Sequence, residues 1–264
     1  VRAWLEGDWS VIEGAFFDCW SNEKHVIKPF SIPNDWLRFR SMDWGSAAPF
    51  SVGWWAVAGD DYQVAGTQRF PRGSIIRYRE WYGASAPNVG LKLTAEQVGA
   101  GIKEREQPGE VIKYSVLDPA AFAVDGGPSI GERLAVMGLH FHRADNKRVS
   151  QRGALGGWDM MRQRLVGDDD GRPMVYFFDT CRDSIRTIPA LQHDPDRPED
   201  VDTEGEDHAA DEVRYACMSR PWVPRKVEPA NPKWVWEANN IGGAKSNLTI
   251  SQLIERQSRR RKYG

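Results

Sequence analysis

Three β-period segments in succession constrain this chain most. Leu37-Arg38-Phe39-Arg40-Ser41-Met42 alternates large apolar with polar residues and runs into Asp43-Trp44-Gly45, a strand that stops at a turn. Phe50 to Ala58 is nearly all apolar and ends at Gly59-Asp60-Asp61, a turn signal before Tyr62-Gln63-Val64-Ala65-Gly66. A third segment, Ser74 to Tyr82, follows Pro71 and Gly73. Consecutive strands joined by turns predict an antiparallel meander.

The period then changes. Thr94 opens a predicted helix with Gln97 where a capping box places it, and Pro108-Gly109 stops it. Lys113 to Leu117 reads as a short strand that ends on Asp118-Pro119, since proline cannot continue a ladder. Helices are expected over Ser129–Met137, Leu155–Val166 and Thr180–Leu191, with strands at Leu139–His142 and Met174–Phe178. This alternation predicts α/β crossovers. His193 to Glu206, rich in Asp, Glu and Pro, reads as a loop, and Asp207 to Met218 as a packed helix carrying Ala209, Ala210, Val213, Ala216 and Cys217.

Composition narrows the class. With 41% hydrophobic and 27% charged residues and no apolar run of about 18 residues, a membrane-spanning chain is not expected. Cys19, Cys181 and Cys217 are too few and too scattered for a disulfide framework or a four-thiolate zinc site, which suits a reducing compartment. A net charge of −2 means that nucleic acid would have to be held by a local patch.

The chemistry-bearing pattern is a carboxylate at the end of the first long strand, Asp43, another at the end of a later strand, Asp118, and a third on the late helix, Asp211. Divalent cations such as Mg²⁺ take oxygen ligands at about 2.0 to 2.1 Å, and two of them about 3.5 to 4 Å apart clamp both reacting oxygens of a phosphodiester. Clustered carboxylates are tolerable mainly when cations neutralise them. Each aspartate alone could equally cap a turn or helix. On the late helix, His208, Asp211 and Arg214 follow at i, i+3 and i+6 with Tyr215 one turn beyond Asp211, so they share roughly one face.

These residues resemble the nuclease domain of the large terminase subunit of tailed bacteriophages. The resemblance spans about Trp36 to Trp222 and rests on Met42-Asp43-Trp44-Gly45 with Pro49-Phe50-Ser51-Val52-Gly53-Trp54, on Ser115-Val116-Leu117-Asp118-Pro119-Ala120, and on Asp207-His208-Ala209-Ala210-Asp211-Glu212-Val213-Arg214-Tyr215-Ala216. It implies an α/β, RNase H-like mixed central sheet with helices on both faces. It further implies a metal-dependent endonuclease that cuts concatemeric double-stranded DNA by a two-metal mechanism with Mg²⁺ or Mn²⁺. Asp43, Asp118 and Asp211 match the metal-binding carboxylates, with His208 beside them in the catalytic set. Implied partners are double-stranded DNA and, in the full-length assembly, the small terminase subunit and portal protein, in the cytoplasm of a bacterial host.

The same resemblance divides the chain into residues 1–36, a packed linker from a missing N-terminal ATPase domain; residues 37–225, the nuclease domain; and residues 226–264, a basic tail ending Arg259-Arg260-Arg261-Lys262. No Gly-x-x-x-x-Gly-Lys-Ser/Thr occurs, and Gly242-Gly243-Ala244-Lys245-Ser246 only approaches it, so the chain is expected to be a C-terminal fragment without the motor. Asp43 and Asp118 lie further apart than is usual in that family. That brings in Glu80 as a possible additional ligand, alternatively an edge-strand charge, and Asp207 as another. Lys147, Arg148 and Arg152, with Arg162 and Arg164, surround a glycine-containing segment and are candidates for DNA contact. A junction resolvase or transposase-like nuclease would share the carboxylate geometry, and a non-catalytic docking module for portal or small subunit would share the fold.

Overall fold

A strand's period of two sends alternate side chains to opposite faces. In the segment Leu37–Asp43 every residue from Phe39 onward is buried, on both faces. A strand covered on both sides must lie inside a layered structure. The computed structural model describes residues 14–59, 62–63, 69–124, 126–222, 236–238 and 244–246.

In chain order the elements begin with α1 (Asn22–His25), β1 (Val26–Ile27), β2 (Leu37–Asp43), β3 (Ser51–Val57), β4 (Tyr62–Gln63), β5 (Arg69–Phe70) and β6 (Ile75–Tyr82). They continue with β7 (Ala84–Ala86), β8 (Val89–Gly90), α2 (Ala95–Arg105), β9 (Tyr114–Leu117), α3 (Ile130–Val136) and β10 (His142–Arg143). Then come α4 (Gly157–Val166), β11 (Val175–Phe178), α5 (Arg182–Thr187) and α6 (His208–Ser219). A mixed seven-stranded sheet runs in the order β1-β11-β6-β3-β2-β9-β10. The expected meander is its centre, β2, β3 and β6 pairing antiparallel, while β9 joins β2, β10 joins β9, and β11 joins β6, all in parallel. Both edges are two-residue strands, which leaves little exposed ladder.

Two apolar layers sandwich this sheet, as the α/β expectation required. On one face Phe39, Trp55, Ile76 and Phe177 pack with Trp158, Met161 and Leu165 of α4 and Ala210, Val213 and Cys217 of α6. On the other, Met42, Val52, Trp54 and Leu117 pack with Val98 and Ile102 of α2 and Leu134 of α3. The capping box at Thr94 and Gln97 forms as expected, Gln97 N–H donating to Thr94 Oγ1 and Thr94 N–H to Gln97 Oε1. The register between β3 and β6 shifts at Trp54/Trp55, leaving Tyr78 unpaired. Such a bulge breaks the alternation of a strand.

Residues 14–36 do more than link. Phe16, Phe17 and Trp20 are buried in the core, Phe16 N–H donates to Leu191 O at 2.7 Å, and β1 completes one edge of the sheet. Residues 1–13 lie outside the described residues. The helix expected over Thr180–Leu191 is shorter, α5 passing at Ile188–Ala190 into a 3-10 turn around Pro189, and the strand expected at Leu139–His142 forms only at His142–Arg143. No helix among the described residues is long and apolar enough to cross a membrane.

Residues 225–264 belong to a second unit, whose described part is the antiparallel pair β12 (Trp236–Ala238) and β13 (Ala244–Ser246). The basic run Arg259 to Lys262 and the expectation of a mobile tail fall outside the described residues.

Candidate active site

Parallel strands β2 and β9 end together. Met42 is in register with Leu117, and Asp118 N–H donates to Met42 O at 3.0 Å, so Asp43 and Asp118 follow side by side. Alternation decides their face. Ser41, two residues before Asp43, bonds Glu212 of α6, and Val116, two before Asp118, packs with Tyr215 of α6. Both carboxylates therefore leave the sheet on the α6 side. Pro119 ends the β9 ladder, and Asp118 Oδ1 caps the turn that follows, accepting from Ala120 N–H at 3.1 Å.

Helix α6 lies over these strand ends because its sheet-facing residues are small. Ala209, Ala210 and Ala216 are fully buried, and at Gly53 of β3 a Cβ would sit 2.3 Å from Glu212 Oε1. Helical spacing then aims His208, Asp211 and Tyr215 towards the strand ends. His208 Nδ1 lies 3.4 Å from Asp43 Oδ2, and the Tyr215 hydroxyl donates towards Asp118 Oδ1 at 3.5 Å. Asp211 is gripped by Arg214, whose Nε and terminal nitrogen approach Oδ1 at 2.9 and 2.8 Å, and by Arg148, 3.3 Å from Oδ2. The four residues expected to act together, Asp43, Asp118, His208 and Asp211, are thus brought to one end of the sheet.

The electrostatics are those of a buried acidic site. Burial pushes the Asp43 carboxyl up to about 7; His208 works against this, while the negative charges of Asp211 and Asp118 add to it. Asp207 is pushed up to about 6 by burial and by Asp211, against Arg148 and His208. Burial alone would lower His208, yet Asp43, Asp207 and Asp211 together hold its imidazolium above the ordinary range. Burial raises the Tyr215 hydroxyl, and the charges of Asp43, Asp211 and Asp118 raise it further against Arg214.

Oxygen donors of this kind suit a hard divalent cation. Asp43, Asp118 and Asp211 supply oxygens of this kind. Among the described residues no three acidic, His or Cys side chains are drawn close enough to enclose an ion. The Asp211 end is taken up by two guanidiniums.

Glu80 is not brought to this group, and its reading as an edge-strand charge does not hold. β6 is an interior strand, and Glu80 accepts from Asp183 N–H at 2.8 Å, Ser184 N–H at 2.9 Å and the Ser184 hydroxyl at 2.5 Å, capping the start of α5. The bulge at Tyr78 turns Arg77 and Glu80 to the same side, 3.4 Å apart. Arg77 in turn pairs with Glu212 at 2.5 Å, both side chains wholly buried, and Glu212 also accepts from Ser41 and from Trp55 Nε1 at 2.9 Å. Sequence reasoning missed this pair. Its signal was present: a glutamate between Asp211 and Val213 falls on the sheet-facing side of α6.

The basic candidates separate. Lys147 is exposed, 4.0 Å from Asp145, and Arg152 is exposed at a two-residue turn closed by Gln151 and Ala154, where Arg152 and Gly153 have φ of 51° and 82°. Arg148 instead turns inward onto Asp200, Asp207 and Asp211. Arg164 is buried against the carbonyls of Met174 and Gly73, and Arg162 bonds Asp18 and Phe16 O, so neither faces the acidic site.

No family model and no curated protein matches this sequence. Solved structures do. The large terminase from the thermophilic bacteriophage D6E, in complex with ATP-gamma-S, superposes with a TM-score of 0.58 at 18% identity, covering 77% of this chain and 45% of that one. The P22 large terminase nuclease domain superposes with a TM-score of 0.55 at 16% identity, covering 78% of this chain and 92% of that one. This chain thus spans less than half the length of the D6E protein and aligns with nearly all of the P22 domain. Its fold is the α/β, RNase H-like fold of large terminase nuclease domains.

Proposed function

We propose that this chain carries the nuclease domain of a phage DNA-packaging terminase and hydrolyses phosphodiester bonds of concatemeric double-stranded DNA as an endonuclease. One observation carries the reading: Asp43 and Asp118 leave adjacent parallel strand ends towards the helix face that bears His208 and Asp211. The likeness in fold to terminase nuclease domains supports it.

In this reading Asp43, Asp118 and Asp211 hold Mg²⁺ or Mn²⁺, in two sites. Such ions, when bound, supply Lewis-acid stabilisation of developing charge and lower the pKa of a bound water. The chain's own residues prepare the ground. Adjacent parallel strands set the spacing of Asp43 and Asp118, and Arg214 orients Asp211 through two bonds to one oxygen. His208, within 3.4 Å of Asp43, steadies that carboxylate and is placed to take up or release a proton at Nδ1. Tyr215, itself buried, keeps its hydroxyl towards Asp118. Exposed Lys147 and Arg152 would meet the DNA backbone. In a packaging assembly the small terminase subunit and portal protein would be the protein partners, and the host cytoplasm the compartment.

Incubating the chain with plasmid in Mg²⁺, Mn²⁺ or EDTA, beside Asp43→Ala and Asp211→Ala, tests this. Metal-dependent cutting lost in both variants is the expected result, and cutting that survives in folded Asp43→Ala overturns the site assignment. One observation favours a second reading, a non-catalytic docking module for portal or small subunit: Asp211 is already compensated by Arg148 and Arg214. Partner binding without cleavage under any divalent cation would decide for it, and preference for branched over linear DNA would indicate a junction resolvase.

A further inference from the structure

Arg148 enters the acidic site from the loop before α4, and three carboxylates share its guanidinium. Nε donates to Asp200 Oδ1 at 2.8 Å, while the two terminal nitrogens lie 3.6 Å from Asp207 Oδ2 and 3.3 Å from Asp211 Oδ2. Trp158 braces the arrangement, its indole N–H donating to the same Asp200 oxygen at 2.7 Å and its ring 5.0 Å from the guanidiniums of both Arg148 and Arg214. The short, directed bond of Arg148 is therefore to Asp200, and its contact with Asp211 is a longer one. About a quarter of the side chain (24%) is exposed, so it is not wedged in place.

We propose, on the reading of the site as a metal centre, that Arg148 is a positioning residue that occupies Asp211 Oδ2 in the metal-free protein and yields it to a divalent cation, withdrawing onto Asp200 and Asp207. A guanidinium and a metal ion cannot crowd one carboxylate oxygen without mutual repulsion. Arg148 can withdraw cheaply because two carboxylates still compensate it, and Asp211 stays oriented because Arg214 holds its other oxygen. Cation affinity is then set by a competition, and Asp200 sets its balance by sharing the Arg148 guanidinium with Asp211 through the shorter bond.

This assigns opposite signs to two substitutions. Arg148→Ala removes the competitor, and Mn²⁺ is expected to bind about tenfold more tightly, the scale on which partners of metal ligands act. Asp200→Asn keeps an acceptor for Trp158 but weakens the hold on Arg148, which then leans on Asp211, and Mn²⁺ is expected to bind more weakly. A merely structural network would weaken binding in both. Titrating Mn²⁺ alone into the chain, followed by calorimetry and by the electron paramagnetic resonance signal of free Mn²⁺, reads the affinities directly. Thermal unfolding in EDTA establishes that the variants are folded, and Arg148→Gln, which keeps a donor for Asp200, serves if Arg148→Ala is not. Opposite signs support the proposal. Unchanged or weaker binding in the Arg148 variants overturns it while leaving the metal-site reading in place. Absence of binding by wild type and variants alike overturns both.

Discussion

Asp211 and Glu212 are consecutive residues of α6, and their carboxylates serve opposite ends of the molecule's electrostatics. Asp211 faces the strand ends, held by Arg148 and Arg214, whereas Glu212 points into the sheet and meets Arg77 at 2.5 Å with neither side chain exposed. Helical geometry makes this possible, since neighbouring residues diverge by about 100° around the axis.

Breaking that pair should damage the fold rather than the chemistry. Glu212→Gln leaves the wholly buried Arg77 with only Glu80, at 3.4 Å, as a carboxylate partner, and the loss should approach the ~3 to 5 kcal/mol of a broken buried pair. Urea unfolding should show a lowered midpoint for Glu212→Gln. Equal midpoints for Glu212→Gln and wild type would show that the pair does not hold α6 on the sheet.

Gly53 should be needed for the same contact. An added methyl would lie 2.3 Å from Glu212 Oε1, and crowding of this sort costs about 1 to 3 kcal/mol. Because the clash is with one side chain, the cost of Gly53→Ala should shrink in a Glu212→Ala background. Strict additivity in such a double-mutant cycle would place the strain elsewhere.

Asp43→Asn is expected to lose cleavage and gain stability. Burial and the nearby charges of Asp118 and Asp211 disfavour its carboxylate, and a neutral amide removes that burden. In EDTA at pH 8 its melting temperature should equal or exceed that of wild type, with cleavage absent in Mn²⁺. A clear fall in melting temperature would mean that Asp43 has a structural role instead.

His25 ties the segment before β2 to acid stability. Its imidazole is buried, with Nε2 2.9 Å from Leu165 O and Nδ1 2.9 Å from the Ser21 backbone, and burial lowers its pKa below 6.5 despite those carbonyls. A folded-state value below the unfolded one means that the contribution is complete above about pH 6.5 and is lost as pH falls through the lowered value. Melting temperatures from pH 7.5 to 5 should therefore decline more steeply for wild type than for His25→Gln. Parallel curves would count against a neutral, buried His25.

Much of the architecture was legible because its signals are local. The β2-β3-β6 meander, the capped helix after Thr94 and the packed face of α6 all rest on periodicity and on stops within a few residues. The role of residues 14–36 in the core was less legible, since an aromatic, irregular stretch has no period to show which layer takes its rings. Glu80 was misread as an edge-strand charge for a related reason: β11, which pairs with β6 and makes it interior, comes much later in the chain.

The site divides along the same line. Local pattern is enough to stop strands at Asp43 and Asp118 and to set His208, Asp211 and Tyr215 on one helix face, because backbone periodicity and proline act over short range. It takes the folded chain to lay β9 beside β2 and to turn Arg148, grouped by sequence with the DNA-contacting cations, onto carboxylates 52 and 63 residues away. The charge environment of a group sums over everything that folding brings near it, and partners so distant along the chain leave no trace in local pattern.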